Sequence, residues 1–407
     1  MDYIKRLPAP DRGSYASALQ LLVDAEAADG SGPPGQAIVA HIDSGVAPHE
    51  GIGWAPGAPP PAWLLLERGR NFLDGACDTP DDPPPGTDAR PIADMTRSGG
   101  VGDDLIEWPD HGVKTLSALC ADVPGRLRGV VPGVRVIPYR VANGPLFYTP
   151  TGAGPLMTRR ATLRVAWAID HMLAQPQVPG VATMSMGNPG FLGPAYEPIR
   201  RALGGEMGMD PAVAEAVNRA YEAGVILCCA AGQVIDSVIF PARWDRTLGI
   251  SGYDVQGTGG QCRHYPPGGY RDDDARRWVD IHCQAMRINR AGYDFSSRPP
   301  VPEWAEDGEA GEPSGTSYAT PQAAGAAALW RNFHHHRLES LWGAEGQRWK
   351  IVEAFRHALR ASAATMQADM RPPPGAGWKP IPTLDIPALL ALEPQPDWPL
   401  EKRNPAR

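Results

Sequence analysis

The sequence predicts an α/β fold, a mainly parallel central sheet with helices on both faces, and two observations carry that reading. Apolar runs of strand length alternate with segments whose apolar residues recur at helical spacing. The runs are nearly continuous instead of alternating with polar residues, the mark of strands covered on both sides. The strands are therefore buried and parallel.

Residues 1–35 are polar and punctuated by Gly and Pro, with one short helix expected over Ser14–Ala28, where Tyr15, Ala18, Leu19, Leu22 and Val23 recur at helical spacing. Gln36–Asp43 follows as a strand that ends abruptly in Asp43-Ser44-Gly45, which puts a carboxylate at its carboxyl end. From Gly51 to Trp108 the chain is rich in Pro, Gly and Asp, broken by Trp63-Leu64-Leu65-Leu66, and reads as a surface insertion. Asp110-His111-Gly112 then opens a helical pattern through Val113, Leu116 and Leu119 or Cys120, closed by Pro124-Gly125. Next come a strand at Val134–Val141, a helix at Thr158–Ala174, a strand at Gly180–Met186 and a helix at Asp210–Ala223, whose Asp cap precedes a Pro at the first helical position. Strands at Val225–Ala231 and Thr247–Tyr253 complete the alternation.

A second polar region, Asp254–Gly315, holds one strand-like piece at Trp278–Cys283 and is followed by helices at Thr316–Phe333 and Trp349–Ala363. The Pro-rich stretch after Arg371 is expected to wrap the surface. With no internal repeat and no linker, residues 36–370 read as one domain with insertions at 51–108 and 254–315. It is flanked by an extension, 1–35, and a tail, 371–407.

Composition bounds the function. The 407 residues are 43% hydrophobic and 21% charged, so the chain is globular. The formal charge is −8 and no cluster of Lys and Arg stands ready to neutralise phosphates, which argues against nucleic acid as a partner. No apolar run reaches the ~18 residues of a membrane span, and the N-terminus lacks the basic and apolar blocks of an export signal. A cytoplasmic location is expected. Six cysteines in so long a chain are read as reduced thiols.

Three segments fall at element ends, where an open α/β sheet places its ligand crevice. They are Asp43-Ser44-Gly45-Val46, Asp110-His111-Gly112-Val113-Lys114-Thr115 and Ser314-Gly315-Thr316-Ser317-Tyr318-Ala319-Thr320-Pro321. A serine hydroxyl attacks well only when a hydrogen-bonded base takes its proton, and imidazole titrates close enough to neutrality to take and return it. A carboxylate beside the imidazole fixes its tautomer. Asp43, His111 and Ser317 supply those three groups. A serine at a helix start also has a backbone N–H free to face a developing oxyanion.

Together the segments resemble the three signature blocks of the subtilisin-like serine peptidases, the subtilases, in that family's order Asp, His, Ser. The first and third blocks match fully; the second departs, with Val113-Lys114 where the family has Thr-His. Ala182–Gly187 resembles the strand that pairs with substrate, Val225–Gln233 the strand and turn carrying the oxyanion donor, and Phe240-Pro241-Ala242 and Val279-Asp280-Ile281 the elements that follow. The resemblance spans roughly 36–365. It implies a subtilisin-like three-layer fold, a serine endopeptidase with the triad Asp43, His111 and Ser317, and a substrate strand laid against 183–187. Ser185, Met186, Gly187 and Gly232 would bind substrate, with Met184 also shaping the pocket for a large apolar or neutral side chain. The family places Asn after Ala-Gly, whereas here the run is Ala230-Ala231-Gly232-Gln233. Either Gln233 donates to the oxyanion or catalysis is weak.

No cofactor is expected; a structural Ca²⁺ is compatible with Asp81-Asp82 or Asp272-Asp273-Asp274, but these read as solvated turns and no site is placed. His334-His335-His336 reads as a solvated helix face, Cys228-Cys229 as strand packing, and Cys262, His264, His282 and Cys283 as loop residues. The expected partners are a polypeptide substrate and a regulatory protein, because the 42 residues before Asp43 are too few for a folding prodomain. Two other readings stay open: a transpeptidase or macrocyclase on the same fold, and a pseudoprotease that binds peptides.

Overall fold

The computed structural model describes residues 37–73, 108–123, 126–144, 154–188, 211–232, 238–255, 261–264, 278–286, 288–297, 299–305, 315–369 and 378–406. The strands are β1 (Val39–Asp43), β2 (Arg70–Asn71), β3 (Asp122–Val123), β4 (Leu127–Arg128), β5 (Val136–Arg140), β6 (Val181–Met184), β7 (Ile226–Ala230), β8 (Leu248–Val255), β9 (Gln261–His264), β10 (Ile281–Gln284), β11 (Arg290–Asp294), β12 (Val301–Ala305), β13 (Ala364–Asp369) and β14 (Trp378–Thr383). The helices are α1 (His111–Cys120), α2 (Gly154–Leu173), α3 (Pro211–Glu222), α4 (Thr316–Phe333), α5 (His335–Trp342), α6 (Trp349–Ser362) and α7 (Ile386–Ala391).

The centre of the sheet runs β2-β5-β1-β6-β7-β8 with every neighbouring pair parallel. Alternation along each strand divides its side chains between two cores. Val39, Val136, Val181 and Ile226 pack under α1, α4 and α6, while Ala40, Ile42, Ile137 and Ala182 pack under α2 and α3. Helices thus cover both faces of a mainly parallel sheet, as the near-continuous apolar runs require. The chain leaves β1 toward β5 on one side and returns by α2 to β6 on the other. That reversal opens a crevice at the carboxyl ends of β1 and β6.

Beyond β8 the order is less regular: β8 pairs with β10 and β9, β9 with β13, and β13 with β14, which touches β10 at His282–Thr383. Three expectations are revised here. Leu64 of the patch read as surface insertion is buried, bridged to Val136, because the chain there extends the sheet beside β5. Cys262, His264, His282 and Cys283 lie on strands β9 and β10, not in loops. The Pro-rich tail contributes β14 to the sheet and buries Ile386, Leu389 and Leu390 of α7 in the main core.

Cys228 and Cys229 face opposite cores, as strand alternation dictates, and burial pushes both thiols up. His334 is buried at the junction of α4 and α5, whereas His336 on α5 is exposed. The helix expected at Ser14–Ala28 and the acidic runs at 81–82 and 272–274 lie outside the described residues. Among the described residues no helix is long and apolar enough to cross a membrane, and no group of three or more His, Cys, Asp or Glu is placed to hold a metal ion.

Candidate active site

β1 sets the first group. Its even-numbered residues enter the α2–α3 core, so His41 and Asp43 face α1 and α4. Asp43 is fully buried. Its Oδ1 accepts from His111 Nδ1 at 2.7 Å and from the Ser44 backbone N–H at 2.7 Å, and its Oδ2 accepts from Thr115 Oγ1 at 3.1 Å. Burial acts to raise the Asp43 pKa. The imidazole of His111 and the Ser44 N–H outweigh it and hold the carboxyl below its usual range.

An ionised carboxylate only accepts, so the hydrogen between the two residues sits on His111 Nδ1, and in the neutral ring the lone pair is then on Nε2. Nε2 is buried and makes no hydrogen bond among the described residues. The imidazole is therefore held at Nδ1 and unpartnered at Nε2 among the described residues.

Small residues bring β1 and α1 together. Ser44 Oγ donates to Pro109 O at 2.9 Å and accepts from Gly112 N at 2.8 Å, bridging the two motifs. A Cβ on Gly112 would stand 2.1 Å from the carbonyl oxygen of Gly45, so only glycine lets the helix start this close to the turn. Leu116 and Leu119 then anchor α1 in the core, each contributing about 1.5–3 kcal/mol by burial.

The departure from the family's second block has a structural reason. Lys114 Nζ pairs with Asp110 Oδ2 at 3.1 Å, and Val113 packs against Ala47, Ala291 and Tyr293. The last two belong to the hairpin β11–β12, whose Tyr293 N–H donates to Asp110 Oδ2 at 3.0 Å and whose Ala291 N–H donates to Ser117 Oγ at 3.0 Å. His49 Nε2 bonds Glu303 O at 2.8 Å on the second strand. The 254–315 region therefore braces the start of α1, a role its polar sequence did not announce.

Ser317 stands at the second position of α4, after the cap Gly315. Its N–H has no acceptor one turn earlier within the helix. Its Oγ donates to Ser185 O at 2.9 Å, and Ser185 Oγ donates back to Ser317 O at 2.8 Å. The structure thus pairs His111 with Asp43 but turns the serine hydroxyl toward Ser185 and not toward His111 Nε2. The ring of Tyr318, next to Ser317, lies 6.4 Å from that of His111, which brings the start of α4 beside the imidazole.

The expected substrate residues divide. Thr183 and Met184 pair with β1 on one side and β7 on the other, leaving no edge; the chain departs from the sheet only at Ser185. Met184 and Met186 are buried in the α2–α3 core. Gly187 and Gly232 are held against Ile239, whose side chain approaches to 2.6 Å and 2.9 Å of where their Cβ atoms would be. Gly232, at φ +88, also donates its N–H to Thr316 Oγ1 at 3.2 Å, tying this turn to the start of α4. Gln233 lies outside the described residues. Sequence reasoning missed Thr115 and His41, although i,i+4 spacing from His111 and i,i−2 spacing from Asp43 put both on the faces that meet.

The subtilase family model matches residues 37–378. The chain belongs to the subtilase family. Solved structures agree on the fold: a protease from Pseudoalteromonas arctica is 18% identical with a TM-score of 0.55, covering 92% of this chain and 93% of its own. The prenylagaramide maturation protease PagA is 16% identical, TM-score 0.51, covering 92% and 97%. Fervidolysin from Fervidobacterium pennivorans is 18% identical, TM-score 0.52, covering 92% of this subtilase and 44% of the longer chain. No curated protein matches the sequence.

Proposed function

We propose that this subtilase is a serine endopeptidase that cleaves peptide bonds through an acyl-enzyme on Ser317, with His111 as base and Asp43 as its partner. The observation that supports the reading is the buried Asp43–His111 pair, whose Nε2 makes no hydrogen bond among the described residues, beside the helix start that carries Ser317. Ser317 Oγ, which donates to Ser185 O in the resting structure, first gives its hydrogen bond to His111 Nε2. It then attacks the substrate carbonyl while its proton passes to Nε2. The C–N bond breaks and the amine leaves with that proton. Water, deprotonated in turn by Nε2, attacks the ester and frees the serine. Asp43 stabilises the imidazolium throughout. The Ser317 N–H at the helix start faces the oxyanion, with Gln233 as the proposed second donor.

Substrate would lie extended beside Ser185–Gly187, the part of that segment not already paired on both sides. Labelling with a fluorophosphonate probe tests the reading: wild-type protein should form an adduct and Ser317→Ala none. Absence of a Ser317-dependent adduct would instead support a peptide-binding protein without hydrolysis.

A further inference from the structure

The Asp43 carboxylate has a second oxygen, and that oxygen is also held. We propose that His41 and Thr115 form a donor chain in which His41 Nε2–H holds the Thr115 hydroxyl so that it donates to Asp43 Oδ2, making both of them positioning residues for the Asp43–His111 pair. The purpose of the chain rests on the peptidase reading; its existence rests on geometry alone.

Three buried side chains from two elements make the chain. His41 Nε2 lies 2.9 Å from Thr115 Oγ1, which lies 3.1 Å from Asp43 Oδ2; all three residues are 1% exposed or less. The direction of the hydrogen bonds follows from counting protons. Thr115 has one. If it donated to His41, Oδ2 would lose this donor, a costly state for a buried anion. If His41 donates to the oxygen of Thr115, the hydroxyl proton is free for Oδ2, where a charged acceptor competes well against the neutral Gly112 carbonyl at 3.2 Å.

The state of His41 agrees. Its other nitrogen, Nδ1, is buried without a hydrogen-bond partner among the described residues, so the ring's single proton is better placed at Nε2. Burial pushes the imidazole down to about 4, which keeps it neutral near neutral pH. The charged or titratable neighbours are Asp43 on the same strand, His111 on α1 and Arg140 on β5, in register with Asp43.

The consequence is orientational. With Oδ1 held by His111 and Ser44, and Oδ2 by Thr115, the carboxylate cannot rotate about its Cβ–Cγ bond without breaking a hydrogen bond at each end. The imidazole is thereby held in one tautomer and one plane.

The test is proton NMR of the His111 Nδ1–H in the whole protein, with fluorophosphonate labelling as a second readout. Thr115→Val keeps the shape and removes the hydroxyl. Its Nδ1–H resonance should broaden by faster exchange and move upfield, and its labelling rate should fall on the order of tenfold. Thr115→Ser should restore both. A Thr115→Val resonance identical to wild type in position and exchange would overturn the proposal whether or not the protein labels. Failure of wild-type protein to label would count against the peptidase reading alone.

Discussion

Gly112→Ala is the smallest change that separates the two motifs. The glycine is helical with no left-handed φ, so alanine would suit its backbone; the obstacle is contact alone. The new Cβ would stand 2.1 Å from Gly45 O, and such contacts essentially never fall below 3.0 Å. The start of α1 and the turn after β1 must therefore separate by about 1 Å, and a misplacement of that size at a reacting group costs on the order of 10²-fold in rate. The same shift stretches Gly112 N–Ser44 Oγ from 2.8 Å and His111 Nδ1–Asp43 Oδ1 from 2.7 Å. Overpacking of this kind costs about 1–3 kcal/mol, leaving the protein folded. The assay is the second-order rate of fluorophosphonate labelling, with thermal unfolding measured alongside. A folded Gly112→Ala protein that labels at the wild-type rate would refute the argument that this contact sets the Asp43–His111 geometry.

Two further outcomes concern stability. Asp280 accepts from Arg356 Nη1 at 2.6 and 2.7 Å, Arg360 Nη2 at 2.6 Å and Gly249 N at 3.1 Å, so Asp280→Asn removes the shorter of two ion pairs from a guanidinium that is 5% exposed, leaving Glu353 at 3.4 Å. Urea unfolding should show a loss of about 1.5–3 kcal/mol, the cost of weakening hydrogen bonds to a charged group, and a loss indistinguishable from that of a surface substitution would contradict it. His41 governs acid stability: burial lowers it to about 4, so between about pH 6.5 and 4 the unfolded chain binds a proton that the folded chain refuses. The His41 contribution should cost on the order of 3 kcal/mol as pH drops through that window and level off below it, where Asp43 takes over, and His41→Phe should flatten the slope between pH 6.5 and 4. Equal slopes in the two proteins would show that His41 is not the group responsible.

The central sheet was legible because its strands are covered on both sides, which writes a near-continuous apolar run into Gln36–Asp43, Gly180–Met186 and Val225–Ala231. The expected helices at Thr316–Phe333 and Trp349–Ala363 appear as α4 and α6 within a residue. What escaped was short, polar or proline-bearing. Gln261–His264 and Ala364–Asp369 carry little apolar signal, and Pro380 and Pro382 in β14 each remove a ladder donor, which reads locally as non-strand. Only the neighbouring strands supply the reason to extend there.

The candidate site divides along the same line. Asp43, His111 and Ser317 announce themselves because each sits at an element end in a short motif whose glycine or small residue has a steric cause, Gly112 against Gly45 being the clearest. The sequence by itself determined the fold class and the chain order of these groups, and it suggested the chemistry proposed for them. Tertiary structure alone decided that Thr115 and His41 complete the hydrogen bonding of Asp43, that Lys114 pairs with Asp110 under the β11–β12 hairpin, that Met184 and Met186 face the core, and that Ser317 rests on Ser185. The physical reason is range: motif and periodicity report what a residue meets within one turn or one strand, whereas a buried hydrogen bond is settled by which donors and acceptors the whole packed chain leaves without water.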